Sequence, residues 1–204
     1  MSKKEDWHIH SIHSGDSITS PKRIVDIAIR KGLSRICVLD HNTIRGSIEA
    51  KEYARGKAIE VIIGAEMKTD KGEIGGLWLQ EEIKSKKLMD VIKEIKHQGG
   101  KILIPHPYGS IRRTKRKYEL EEVAPFADYI EAYNGRSFLN FSRKKTLQLA
   151  KEFNLITTAG SDAHFAFEIG NLNYRHIYKG IIGFFTTGIL NLFLIDRIGG
   201  KCRR

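Results

Sequence analysis

Cysteine is nearly absent from this 204-residue chain: Cys37 and Cys202 are the two present, too few and too far apart for a disulfide framework. Cys37 lies within the apolar run Ile36-Cys37-Val38-Leu39, where a buried thiol is expected rather than a reactive one. The opening Met-Ser-Lys-Lys-Glu-Asp carries no apolar signal-peptide region, and a reducing, cytoplasmic setting fits both features. No linker, low-complexity tract or repeat divides the sequence, so residues 1–204 read as one domain. There is also no clear membrane segment. The uncharged stretch Gly180 to Ile195 is shorter than the roughly 20 residues that span a bilayer, and Thr186, Thr187 and Asn191 interrupt it. It reads as a helix packed on the domain, with a membrane-surface anchor as the alternative.

What is present describes a globular protein, with 41% hydrophobic and 29% charged residues. The formal charge of +11 favours polyanionic partners, phosphates or nucleic acid. Much of the excess is local. It falls in Arg112-Arg113-Thr114-Lys115-Arg116-Lys117, in Arg143-Lys144-Lys145, in Lys84, Lys86 and Lys87, and in residues 201–204. A solvated surface explains such runs as well, so charge alone does not identify the partner.

Strand and helix signals alternate. Ser20-Pro21 reads as N-cap and first-turn proline of a helix through Lys31, stopped by Gly32. Thr43 to Arg55, Ser85 to His97 and Ser137 to Phe153 also have helical composition. The runs Arg35 to Leu39, Glu60 to Gly64, Ile74 to Leu79, Lys101 to Ile104, Ala127 to Ala132 and Leu155 to Thr158 read as strands. Continuous apolar strands alternating with helices predict a parallel sheet covered by helices. The pair Gly75-Gly76 has no phosphate-loop context and reads as close strand packing.

His8 and His10 stand two residues apart on an extended run, which sends both imidazoles to one side. Alone this is weak evidence for a metal site, but other stretches answer it. His8, His10, His41, His106 and His164 all lie at or just beyond the C-terminal end of an apolar run, as do Glu66 and Asp162. In parallel α/β folds those ends converge on one face. Imidazole and carboxylate without cysteine suit zinc, iron or manganese. So many ligands exceed one structural zinc and point to two or three divalent ions, an arrangement suited to displacement at phosphorus.

Six stretches together resemble the polymerase and histidinol phosphatase (PHP) family of metal-dependent phosphoesterases. They are Asp6-Trp-His8-Ile-His10-Ser-Ile-His-Ser14-Gly-Asp16, Val38-Leu-Asp40-His41-Asn-Thr43-Ile-Arg-Gly46, Gly64-Ala-Glu66, Ile104-Pro-His106-Pro-Tyr108-Gly109, Ile130-Glu131-Ala-Tyr-Asn134 and Ala159-Gly-Ser-Asp162-Ala-His164. They occur in the family's order over about residues 6 to 170. The resemblance implies a distorted seven-stranded (β/α) barrel with a trinuclear site at the C-terminal strand ends. It implies His8, His10, Asp16, His41, Glu66, His106, Asp162 and His164 as metal ligands, with Glu66 bridging. His13 is then a neighbour of the site and Asp40 a support behind it. Asn134 and Arg136 are candidates to hold a substrate phosphate, although a structural turn accounts for Asn134 almost as well.

The implied reaction is hydrolysis of a phosphoester by metal-activated water. No side chain is expected as covalent nucleophile, because Ser14 and Ser161 lack a free activating base. Nucleotides or nucleic-acid ends are the expected substrates. A small phosphate such as histidinol phosphate, or a non-catalytic nucleic-acid-binding role, are the alternatives. The sequence leaves the oligomeric state open. It departs from the family in two places. No histidine stands in Gly72-Glu73-Ile74-Gly75-Gly76-Leu77-Trp78, where relatives carry a ligand; either Glu73 substitutes, or fewer than three ions bind. The similarity also fades in the tail, 171–204.

Overall fold

The computed structural model describes residues 4–108, 119–137 and 143–172. The basic run 112–117, His176 and nearly all of the tail lie outside these residues. Seven strands form the sheet: β1 Lys4–Ile9, β2 Leu33–Val38, β3 Glu60–Thr69, β4 Gly72–Leu77, β5 Lys101–Ile104, β6 Tyr129–Asn134 and β7 Ile156–Gly160. Each pairs with the next in chain order. Just past the ends of β1 and β7 the chain nearly closes on itself. Asp162 N donates to His8 O, and His10 N to Ala163 O, both at 2.8 Å. The result is a distorted seven-stranded (β/α) barrel.

One expectation is corrected. The sheet is not wholly parallel, since β4 runs antiparallel to both β3 and β5. Two residues, Asp70 and Lys71, join β3 to β4, far fewer than a parallel crossover needs. Gly72, at φ +135°, completes that turn. Further along β4, a Cβ on Gly75 would stand 3.1 Å from Leu103 Cβ, so the close packing read from the sequence is present.

The helices are α1 Pro21–Arg30, α2 Arg45–Tyr53, α3 Leu88–His97, α4 Leu120–Val123 and α5 Arg143–Glu152. The Ser20 hydroxyl caps α1 by accepting from Arg23 N. Two helices start later than composition predicts, for one reason. In each case a carboxylate accepts from amides just ahead of the helix. Glu82 binds Ile44 N before α2, and Glu94 binds the Lys84 and Ser85 amides before α3. The four-residue α4 gives no sequence signal long enough to read.

Alternation along the strands divides the core. Ile36 and Val38 pack outward with Ile24 and Ala28 of α1. Cys37 and Leu39 belong instead to a cluster of Trp7, Ile62, Leu77 and Leu103, which contains no helix residue and fills the barrel interior. Cys37 is fully buried there and its thiol pKa is pushed up by desolvation. Among the described residues no helix is long and apolar enough to cross a membrane.

Candidate metal centre

Above that apolar interior, the ends of the strands deliver polar side chains to one place. The end of β1 supplies His8 and His10, and a 3-10 turn, Ile12–Ser14, leads to Asp16. His41 follows β2, Glu66 lies within β3, His106 follows β5, and Asp162 and His164 follow β7. Glu73 also arrives here, because antiparallel β4 begins at the end where its neighbours finish. Two of these residues hold left-handed backbones that side chains rarely adopt, His106 at φ +25° and Asp162 at φ +52°. Each is fixed by its amide. His106 N donates to Glu131 Oε2 at 2.7 Å, and Asp162 N to His8 O.

The side chains fall into three overlapping constellations: His10, Asp16, His41 and His164; His8, His10 and Glu66; and His41, Glu66 and Glu73. In the first, Asp16 Oδ2 lies 3.4 Å from His41 Nε2 and 3.3 Å from His164 Nε2. In the second, His8 Nε2 and His10 Nε2 are 3.0 Å apart, and Asp162 Oδ1 is 3.3 Å from His10 Nε2. Glu66 joins the sets. Its Oε1 is 2.9 Å from His106 Nε2, while its Oε2 is 3.2 Å from His41 Nδ1 and 3.6 Å from His10 Nε2. Thus every residue implied as a ligand is drawn into one cluster. His106 reaches it through Glu66 and Glu73.

The arrangement fits divalent cations. Ligand nitrogens about 2.1 Å from one ion stand roughly 3 Å apart, as do the His8 and His10 nitrogens. The buried His41 Nδ1 lies 3.2 Å from Glu66 Oε2, so a ring nitrogen and a carboxylate border the same gap. Two residues named from the sequence stand apart. His13 pairs with Glu49 at 3.1 Å, outside the constellations. Asp40 is buried and accepts both the amide and the hydroxyl of Ser11 at 2.6 Å.

A second layer orients the first. Glu131, fully buried, accepts from His8 Nδ1 at 3.3 Å, His106 N at 2.7 Å and Asn134 Nδ2 at 3.0 Å. A carboxylate behind an imidazole fixes which nitrogen is left to bind a metal. The motif Ile130-Glu131-Ala-Tyr-Asn134 does not by itself assign Glu131 this role. The available signal was its place on an inward-facing position of β6, one strand over from His106. Asp6 holds the β7 end in place, accepting from Ser161 N and Gly170 N, each at 2.8 Å. Asn134 is buried, and its Oδ1 accepts from Arg136 N and Ser137 N, the bonds of a turn. Arg136 pairs with Glu168 at 3.1 Å, and Glu168 in turn accepts from the His164 amide. Behind β1, a Cβ on Gly160 would fall 2.3 Å from both Glu131 Oε1 and His8 Cβ, so only glycine fits.

Burial disfavours charge on all these groups, and their mutual attraction decides the outcome. It pulls Glu66 upward, but His8, His106 and His41 hold it well below the carboxylate range. Asp162 is lowered likewise, by His8 and His10 against burial. Burial pulls His8 down, yet Glu131, Asp162 and Glu66 carry it well above its ordinary value. His106 is raised to about 9 by Glu66 against the same desolvation. His10 goes the other way, to about 4, because burial and the nearby His8 outweigh Asp162. Cationic imidazoles thus balance the carboxylates here, a balance that metal ions would replace.

Comparison with known proteins agrees with this fold. The PHP domain model matches residues 6–166. An uncharacterized protein of Methanocaldococcus jannaschii is 38% identical over 144 residues, covering 64% of this chain and 81% of the relative. A second from the same organism is 32% identical over 174 residues, 82% of this chain and 68% of the relative. Among solved structures, a two-domain Bacteroides vulgatus protein containing a predicted PHP-like metal-dependent phosphoesterase superposes with a TM-score of 0.68. It is 24% identical, and the match covers 81% of this chain and 53% of that one. A Bifidobacterium adolescentis protein, provisionally described as a metal-dependent phosphoesterase, superposes at 0.67 with 16% identity, covering 80% and 88%.

Proposed function

The chain belongs to the PHP domain family, and from that premise we propose that it is a metal-dependent phosphoesterase acting on nucleotides or nucleic-acid ends. The observation that carries the reaction class is Glu66, whose two oxygens face different imidazoles, His106 on one side and His41 and His10 on the other. A carboxylate so placed would be shared between divalent cations, an arrangement suited to in-line displacement at phosphorus. Bound divalent ions supply Lewis acidity toward a phosphoryl oxygen and acidify a water for attack. The protein's own part is to present a fixed set of donors. His10, His41, His164 and Asp16 would hold one ion, and His8, Asp162, Glu66 and His106 would surround its neighbours. Glu131 keeps the His8 ring oriented. Neither Ser161 nor Ser14 is set up as a nucleophile. Ser161 Oγ is turned to the His8 carbonyl, and Ser14 Oγ lies against His10 Nδ1.

The substrate class rests on different support. The net charge of +11 suits a polyanion. A 5'-3' exoribonuclease of Haemophilus influenzae is 40% identical over 70 residues, which is 34% of this chain and 25% of that enzyme. The test is a substrate panel with metal-loaded protein: a chromogenic phosphodiester, histidinol phosphate, nucleoside monophosphates and 5'-phosphorylated oligonucleotides. Metal-dependent release of nucleotide or phosphate from the last two, lost in Asp162→Ala, is expected. Preference for histidinol phosphate would overturn the substrate class. No hydrolysis of any member would overturn the activity and leave a binding role.

A further inference from the structure

We infer that the centre is chemically asymmetric, with an imidazole-rich site and a carboxylate-rich site of different metal preference, and that Glu73 sets the second. This rests on the reading that the cluster binds divalent cations, but on no particular substrate. The set at Asp16 offers three imidazoles, His10, His41 and His164, to one carboxylate. Around Glu73 the proportion shifts toward carboxylate. Glu73 and Glu66 form one constellation with His41, and His106 Nε2 lies 3.6 Å from Glu73 Oε2 and 2.9 Å from Glu66 Oε1. Two carboxylates there meet two imidazoles, against one carboxylate to three imidazoles at Asp16.

The placement follows from the strand. Ile74 is buried in the cluster packed by Val91 and Ile95 of α3, so its neighbour Glu73 faces the barrel interior. Its side chain is only 8% exposed. A carboxylate so enclosed, grouped with Glu66 and His41, is placed to share a divalent ion with Glu66. Imidazole donors suit zinc and iron, whereas carboxylate and water donors suit manganese and magnesium. The first set should therefore take zinc in preference, and the Glu73 set manganese.

The test uses the full chain, stripped of metal and then dialysed against equimolar Zn2+ and Mn2+. Retained metals are counted by mass spectrometry, and Mn2+ binding is followed by calorimetry and electron paramagnetic resonance. Wild type should retain both metals. Glu73→Gln should weaken Mn2+ binding at least tenfold while retaining zinc, which also reports an intact fold. Glu73→His, which keeps a ligand in place should the glutamine variant fail to fold, should exchange manganese for zinc. Zinc alone in the wild type, or unchanged Mn2+ affinity in Glu73→Gln, or unchanged selectivity in Glu73→His would each overturn the assignment. Because no substrate enters this experiment, its failure is distinct from a failure to hydrolyse phosphoesters.

Discussion

The Ser14 hydroxyl lies 3.0 Å from His10 Nδ1 and accepts the His41 amide at 3.1 Å. By holding the His10 ring and the His41 backbone at once, this one hydroxyl ties two candidate ligands together. Ser14→Ala should weaken metal binding by about 10–100-fold, and Ser14→Thr, which keeps the hydroxyl, should restore most of it. Calorimetric titration with Mn2+ or Zn2+ measures both variants.

Glu131 does for His8 what Ser14 does for His10. Replacing it with Gln turns an amide NH2 toward either His8 Nδ1 or the His106 amide, where a donor now faces a donor. Metal affinity should fall by about 10–100-fold. Glu131→Ala leaves those buried groups without their shared acceptor and should also cost about 1–3 kcal/mol of stability, read from urea unfolding with chelator present.

Most of the candidate centre was legible because its chemistry is written at strand ends. His8 and His10 share a face, and His41, His106 and His164 each follow an apolar run, so their convergence required only a parallel arrangement of those strands. Glu131 was not legible in the same way. A glutamate inside a β-strand looks like a surface residue until the backbone just past the neighbouring strand, at His106, is seen to need its oxygen. The direction of β4 was missed for a similar reason. Its apolar residues resemble those of a parallel strand, and only the two-residue connection after Thr69 forbids a crossover. The amides ahead of the helix starts at Arg45 and Leu88 are taken by Glu82 and Glu94, and the first of these partners, 38 residues away in sequence, gives no local signal.

Gly160 tests the packing behind the centre. An alanine methyl there would collide with Glu131 Oε1 and His8 Cβ. Because the second contact is close to the backbone, rotation of a side chain does not relieve it. Gly160→Ala should lower stability by about 1–3 kcal/mol and reduce bound metal even where the protein remains folded. Urea unfolding and metal analysis of the same preparation separate the two effects.

The last prediction concerns pH in protein stripped of metal. His106 is raised from 6.5 to about 9: burial pulls it down, and Glu66 more than reverses that. Its folded value lies above its unfolded one, so its stabilisation is complete below pH 6.5 and is lost as pH rises toward about 9. His10 has the opposite sign. Burial lowers it to about 4, so its contribution is present above pH 6.5 and lost as pH falls toward about 4. The two windows meet near pH 6.5, the ordinary imidazole value. Together they predict that the metal-free protein is most thermostable near there and weakens on either side. Metal binding requires neutral imidazoles and releases the His106 proton. The rise in melting temperature on adding Mn2+ should therefore be larger at about pH 9 than at about pH 6. Scanning fluorimetry with and without Mn2+ across that range provides the measurement. A melting temperature that stays flat with pH in stripped wild-type protein, or one unchanged in shape by His106→Gln, would show that these imidazoles do not govern the balance.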